Sequence, residues 1–142
     1  MPYAKIWIHA IWSTKQRQRI IHSTLREELL GHIREYSDKN NIHLDYLNCV
    51  QDHIHLLLSL NPNQSLAMCI KLIKGESSHW VNTKGLIHGR FEWQEEYIAI
   101  SISDSDTARV REYIADQENH HRRRTFQEEY DEFIRDYGLL SR

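Results

Sequence analysis

Residues 50–60, VQDHIHLLLSL, constrain what this chain can fold into more than any other stretch. The run is rich in strand-forming aliphatics and directly follows another such run, so it reads as a β-strand whose side chains alternate between faces. Ile54, Leu56, Leu58 and Leu60 then form one unbroken apolar face, which has to be covered. His53, His55, Leu57 and Ser59 form the other. Neighbouring imidazoles on one sheet face can converge on a single cation. With ten histidines in 142 residues, however, two such residues are also ordinary half-exposed strand positions, and a metal site needs partners elsewhere.

The order of hydrophobic periodicities supplies the cover. Residues 3–12, YAKIWIHAIW, alternate as a strand, with Ile6, Ile8, Ala10 and Trp12 on one face and Trp7, His9 and Ile11 on the other. A helix begins near Thr24, whose hydroxyl and Glu27 make a capping box, and Leu25, Leu29, Ile33 and Tyr36 form its stripe. Residues 42–50 and the His53 strand form a hairpin about Gln51 and Asp52. A second helix starts near Ser65, with Leu66, Ile70 and Ile73 in register, and runs towards Trp80 with a soft spot at Gly75. The loop TKGLIHGR leads to a strand at residues 97–103, and two further helices follow at residues 106–121 and 126–137. The pattern βαββαβ predicts an α+β fold: a ferredoxin-like four-stranded antiparallel sheet with both helices on one face, the opposite face open, and extra C-terminal helices. No repeat, low-complexity tract or linker divides residues 1–142, which form one domain.

Composition narrows the function. A chain of this length holds a real core but not a barrel hydrolase with a second module. Cys49 and Cys69 have neither zinc-ribbon nor redox spacing, and neither a secretory signal nor a membrane-length apolar run is present, so a cytoplasmic protein without a membrane partner is expected. The net charge of −2 excludes a strongly basic nucleic-acid coat but not a local basic site. Two clusters offer phosphate contacts, Lys15, Arg17 and Arg19 in KQRQR and Arg122, Arg123 and Arg124 in HHRRR. Both also read as solvated surface, the second offset by EEYDE.

Because the Ile54 face packs under the helices, His53 and His55 project from the uncovered side. The helix DTARVREYIADQENHH brings chemistry to it: Tyr113 and Gln117, four residues apart, lie one above the other, and His121 continues the line. Val110 and Ile114 form an apolar edge able to dock that helix. A helical tyrosine is otherwise a packing residue.

At these residues the chain resembles the HUH-type single-strand DNA transposases with one catalytic tyrosine, the small insertion-sequence enzymes and their repeat-associated relatives. The resemblance spans nearly the whole chain. It rests on the opening strand ending in IW, on QDHIHLLLSL, on LIKGESSHW, and on VREYIADQENHH followed by TFQEEY. It implies that His53, His55 and Gln117 are metal ligands and that Tyr113 is the nucleophile. It also implies a 5′-phosphotyrosine intermediate, a single-stranded DNA substrate presented beside a hairpin, and a homodimer whose active sites are shared between chains.

The residue types suit that chemistry. Two imidazoles and an amide oxygen make an open shell of intermediate hardness, fit for Mg²⁺ or Mn²⁺ with positions left for phosphate oxygens. A neutral phenol is a poor nucleophile, so a nearby cation favours its phenolate. Trp7, Trp80 and Trp93 are candidates for base stacking or for core packing. Asp52 either tunes His53 or turns the hairpin, the second being the simpler role; Lys74 and Glu76 read equally well as solvated helix positions. Two other classes stay open, a metal-dependent single-strand nuclease using water and a catalytically inactive DNA-binding protein. A two-histidine phosphoesterase is disfavoured, since the chain lacks the matched pair of His-x-Ser/Thr motifs that class needs. The polar segment 101–106, SISDSD, is a tether long enough to carry the tyrosine helix to either chain's histidines.

Overall fold

Four strands, β1 (Trp7–Ser13), β2 (His43–Cys49), β3 (His53–Ser59) and β4 (Ile98–Ile102), make one sheet in the order β2-β3-β1-β4, every pairing antiparallel. The structure, a computed structural model, describes residues 4–117, 119 and 125–136. Helix α1 (Ser23–Lys39) links β1 to β2, and α2 (Leu66–Lys84) links β3 to β4; α3 (Thr107–Ala115) and α4 (Phe126–Asp136) follow. This is the expected ferredoxin-like βαββαβ arrangement with additional C-terminal helices.

The alternation in β3 sorts as predicted. Ile54, Leu56 and Leu58 join Ala10 and Trp12 of β1, Leu25, Leu29 and Ile33 of α1, and Ile70, Ile73 and Val81 of α2 in the main core. Leu56, fully buried at its centre, adds roughly 1.5–3 kcal/mol by leaving water. The other face is not open. Val110 and Ile114 of α3 close over Trp7 and Leu57, and Tyr130 of α4 packs on Ile11, Ile98 and Ile100. The expected apolar edge of the tyrosine helix therefore docks as read, and a second helix completes the lid.

Several boundaries move, each for a local reason. The Thr24–Glu27 box is not the cap: α1 opens one residue earlier, and the ring of His22 accepts from the Leu25 amide at 3.2 Å. Gly75 does not weaken α2, because tertiary burial of Ser77 and Val81 carries the helix past Trp80 to Lys84. It stops at Gly85, whose φ of 61° is the left-handed conformation of a helix C-cap. Tryptophan reads as packing throughout. The Trp93 indole donates to Ser77 Oγ at 2.8 Å, Trp80 stacks on His32 with ring centroids 4.3 Å apart, and Trp7 donates to Asp104 at 2.7 Å. No described helix is long and apolar enough to cross a membrane.

Candidate active site and metal centre

His53 and His55 sit on the central strand β3, beside β1, with partners Ser13 and Ile11 opposite them. Both are buried, at 1% and 0% exposure, because α3 and α4 cover that face. What fixes α3 there is polar. Asp45 lies at a β-bulge between Leu44 and Tyr46, where an unpaired residue is re-aimed out of the ladder. Its carboxylate accepts from the Arg111 guanidinium at 2.5 and 3.0 Å. The Asn48 amide donates to the Ile114 and Ala115 carbonyls at 2.9 and 3.3 Å, satisfying the end of the helix. Segment 101–106 is thus less a loose tether than expected: Asp104 holds the Trp7 indole, and the Thr107 hydroxyl donates to the Asp104 carbonyl at 2.9 Å.

So anchored, α3 sets Tyr113 over the histidines of its own chain, its ring centroid 5.7 Å from His55 and 6.1 Å from His9. The helix ends at Ala115, and Asp116 turns before Gln117. Gln117 nevertheless keeps its place one turn on from Tyr113. Its amide donates to the Tyr113 carbonyl at 3.2 Å, and its Oε1 lies 3.3 Å from His53 Nε2. All four residues named from the sequence therefore converge.

A fifth residue reaches the centre of the cluster, and sequence reasoning missed it. Glu129 of α4, 4% exposed, places Oε2 3.0 Å from His53 Nε2 and Oε1 3.1 Å from His55 Nε2, and its Oε1 accepts from the Tyr113 hydroxyl at 2.5 Å. Donor atoms of His53, His55 and Glu129 all lie within 4.8 Å of one another. Bonds of about 2.0–2.2 Å to a six-coordinate divalent cation put adjacent donors about 3 Å apart, the spacing of the two Glu129–histidine contacts. Two imidazoles and a carboxylate suit such an ion. Nothing local announced Glu129: it stands in an acidic run, EEYDE, that reads as solvated, and only the packing of α4 turns it inward.

The rings are held from behind. Asp52 is 5% exposed, and its Oδ1 accepts from His53 Nδ1 at 2.8 Å, so it contacts the site and does more than turn the hairpin. His55 Nδ1 lies 2.9 Å from Nε2 of His9, itself 2% exposed. Burial opposes the charged ring of His53, but hydrogen bonds to Asp52 and Glu129 outweigh it and raise its pKa to about 9. Burial likewise works against the Glu129 carboxylate, and the two histidines overcome it, holding its pKa well below the ordinary range. Burial and then the neighbouring His55 push His9 down, so its ring is neutral.

A cleft of about 580 Å³ leads to Tyr113 and Glu129 between the edge strand β4 and helices α3 and α4. Lys15, Arg17 and Arg19 are exposed on the turn after β1, at the His53 end of the sheet; Lys15 pairs with Glu92 at 3.1 Å, and Arg17 donates to Gln127 of α4. Arg122, Arg123, Arg124 and His121 lie outside the described residues. Lys74 and Glu76 face away from the site, Lys74 donating to the Glu95 carbonyl and Glu76 pairing with His32.

The chain is similar to several known proteins. A family model described as "Transposase IS200 like" matches residues 2–117. The ISDra2 transposase TnpA of Deinococcus radiodurans is 26% identical over 114 residues, covering 77% of this chain and 81% of that protein. A transposase for insertion sequence element IS200 from Salmonella typhimurium is 25% identical over 114 residues, covering 77% and 74%. Among solved structures, a protein from Deinococcus radiodurans R1 described as a transposase superposes with a TM-score of 0.65 at 24% identity, over 82% of this chain and 93% of that one. A REP-associated tyrosine transposase bound to a REP hairpin superposes with a TM-score of 0.62 at 16% identity, over 85% and 72%.

Proposed function

Since the chain belongs to the IS200-like transposase family, we propose that it cleaves and rejoins single-stranded DNA through a phosphotyrosine formed on Tyr113. The observation that carries this reading is the convergence of Tyr113, His53, His55, Gln117 and Glu129 at the end of one cleft. In the proposed step the Tyr113 Oη–P bond forms as the P–O3′ bond breaks. The 5′ phosphate stays on the tyrosine, and the 3′ oxygen leaves as a hydroxyl after taking a proton from water. Glu129 Oε1, 2.5 Å from Oη, orients the phenol; the phenol proton passes to the water that protonates the 3′ oxygen, so Glu129 stays a carboxylate and no hydroxide is left. The phosphodiester energy is kept in the tyrosyl ester, so a 3′ hydroxyl can later attack it and reseal a strand without ATP. His53, His55 and Glu129, with Gln117 beside His53, would hold Mg²⁺ or Mn²⁺, which when bound would polarise the scissile phosphate and offset its charge.

The substrate we propose is a single strand beside a DNA hairpin; the hairpin bound by the REP-associated relative supports this. Lys15, Arg17 and Arg19, next to the His53 end of the sheet, contact the DNA backbone, and Arg122, Arg123 and Arg124 are proposed for the same role. The turn they decorate holds Gln16 and Arg17 at φ of 56° and 54°, a strained conformation of the kind found at functional sites. We further propose a homodimer with sites shared between chains, since β4 ends the sheet and among the described residues no strand pairs with its outer edge, which a two-fold partner can close. The chain alone already sets its tyrosine over its own histidines. Mixing His53→Ala with Tyr113→Phe protein under verified subunit exchange distinguishes the arrangements, because restored cleavage requires sharing and an inactive mixture requires a site within one chain.

The reading is tested with a labelled single-stranded library carrying hairpins, incubated with the protein and Mn²⁺ and resolved on a denaturing gel. A covalent protein–DNA band is expected. Cut DNA without the band would make the chain a water-using nuclease, and binding without cutting would make it an inactive DNA-binding protein.

A further inference from the structure

The two imidazoles of the metal centre are alike at one nitrogen and different at the other. Both turn Nε2 towards Glu129, at 3.0 and 3.1 Å. Behind His53 stands a carboxylate, which can only accept, so Nδ1 carries a hydrogen, and an ion that displaces the Nε2 proton shared with Glu129 meets the Nε2 lone pair. Behind His55 stands another imidazole, which can do either. His9 Nε2 and His55 Nδ1, 2.9 Å apart, share one hydrogen. If His9 donates it, neutral His55 carries its own hydrogen on Nε2, pointing at the metal position, and cannot ligate. If His9 accepts it, the His55 Nε2 lone pair is presented to the ion.

We propose that His9 is a positioning residue for the metal centre, the acceptor that fixes His55 in the ligating tautomer, as Asp52 does for His53. Strand register places it there. His9 pairs with Leu57, so it is the diagonal neighbour of His55 on the adjacent strand, and the two rings meet at 5.1 Å with a tilt of 36°. It is 2% exposed on a central strand. Its ring also stands edge-on to Tyr113, so the same residue touches both halves of the site. A metal-bound histidine with its second nitrogen unsupported loses ligand basicity and orientation, typically costing 10–100-fold in metal affinity.

This inference rests on the metal reading of His53 and His55, and the tests separate the two. Without metal the Glu129 carboxylate, 3.1 Å from His55 Nε2, accepts a hydrogen there, so long-range ¹H–¹⁵N spectra are recorded on wild-type protein saturated with diamagnetic Mg²⁺, where they report each ring's tautomer. The expected result is hydrogen on Nδ1 of His55 and a bare Nε2 on His9. Hydrogen on His9 Nε2 in the Mg²⁺-saturated protein overturns the proposal. By calorimetry His9→Leu should bind Mn²⁺ 10–100-fold more weakly, while His9→Gln, which keeps an acceptor near the Nε2 position, should stay within about threefold of wild type. Unchanged affinity in folded His9→Leu overturns the role, as does an equal loss in both variants. Absence of both Mn²⁺ and Mg²⁺ binding to wild type would instead defeat the metal reading itself, and this proposal with it.

Discussion

The two faces of one sheet are both buried, and they are buried by different means. Under α1 and α2 the cover is apolar: Trp12, Ile54, Leu56 and Leu58 meet aliphatic helix stripes, and little there needs a hydrogen bond. Under α3 and α4, His9, His53, His55, Gln117 and Glu129 are buried together, each satisfied by another member of the group. The first arrangement is worth its transfer free energy. The second sets desolvation against hydrogen bonds and charge, so its contribution to stability is small relative to its polar content, and it changes with pH and metal. A protein that spends half its sheet this way keeps stability on one face and chemistry on the other.

Substitutions should separate those roles. The largest effect is expected from Tyr113→Phe, which should abolish covalent DNA trapping while costing about 1.5–3 kcal/mol of stability for the lost hydrogen bond to the Glu129 carboxylate. Leu56→Ala on the opposite face should do the reverse, losing about 2–5 kcal/mol in chemical denaturation while Mn²⁺ affinity of the folded fraction holds. Equal stability losses from the two would erase the distinction. Next, Glu129→Gln keeps the shape but removes the charge, and should weaken Mn²⁺ at least tenfold by calorimetry; an unchanged affinity would return the third ligand position to Gln117 alone.

Smaller and more diagnostic is the pH response. The pKa of His53 is raised on folding, so its contribution to metal-free stability is complete below about 6.5 and is lost as pH rises through about 9. Thermal melts in chelator should therefore fall across that window, and less so in Glu129→Gln. Mn²⁺ must displace the same proton, so its affinity should rise about tenfold per pH unit over the same range and then level off. A flat profile would mean that His53 is neither charged nor a ligand. The smallest effect belongs to the exposed turn. Replacing Lys15, Arg17 and Arg19 with Gln should reduce the salt dependence of DNA binding by about one charge each, with cleavage chemistry unaltered once DNA is bound.

The sequence carried the fold because each element obeyed one dominant period. Alternation at residues 53–58 separated the two faces, and the i, i+4 placement of Tyr113 and Gln117 survived although α3 ends between them. Local signals misled where tertiary burial decided: at Gly75, where packing outweighed propensity, and at Glu129, whose acidic neighbourhood hid a buried side chain. His9 was within reach, since alternation already put it on the face of Trp7 and Ile11, which is the histidine face once β1 and β3 are adjacent. What no local pattern encodes is that α4 folds back to the sheet. That contact joins residues 53 and 129 and depends on the whole chain being assembled.

The most direct test of a tyrosine-based strand transfer is to digest the trapped protein–DNA complex and map the modified peptide by mass spectrometry. The account predicts a nucleotide 5′-phosphate attached to the peptide containing Tyr113, formed only with divalent metal and absent from Tyr113→Phe. A nucleotide mapped to any other residue, or an undiminished adduct in the phenylalanine variant, would contradict it.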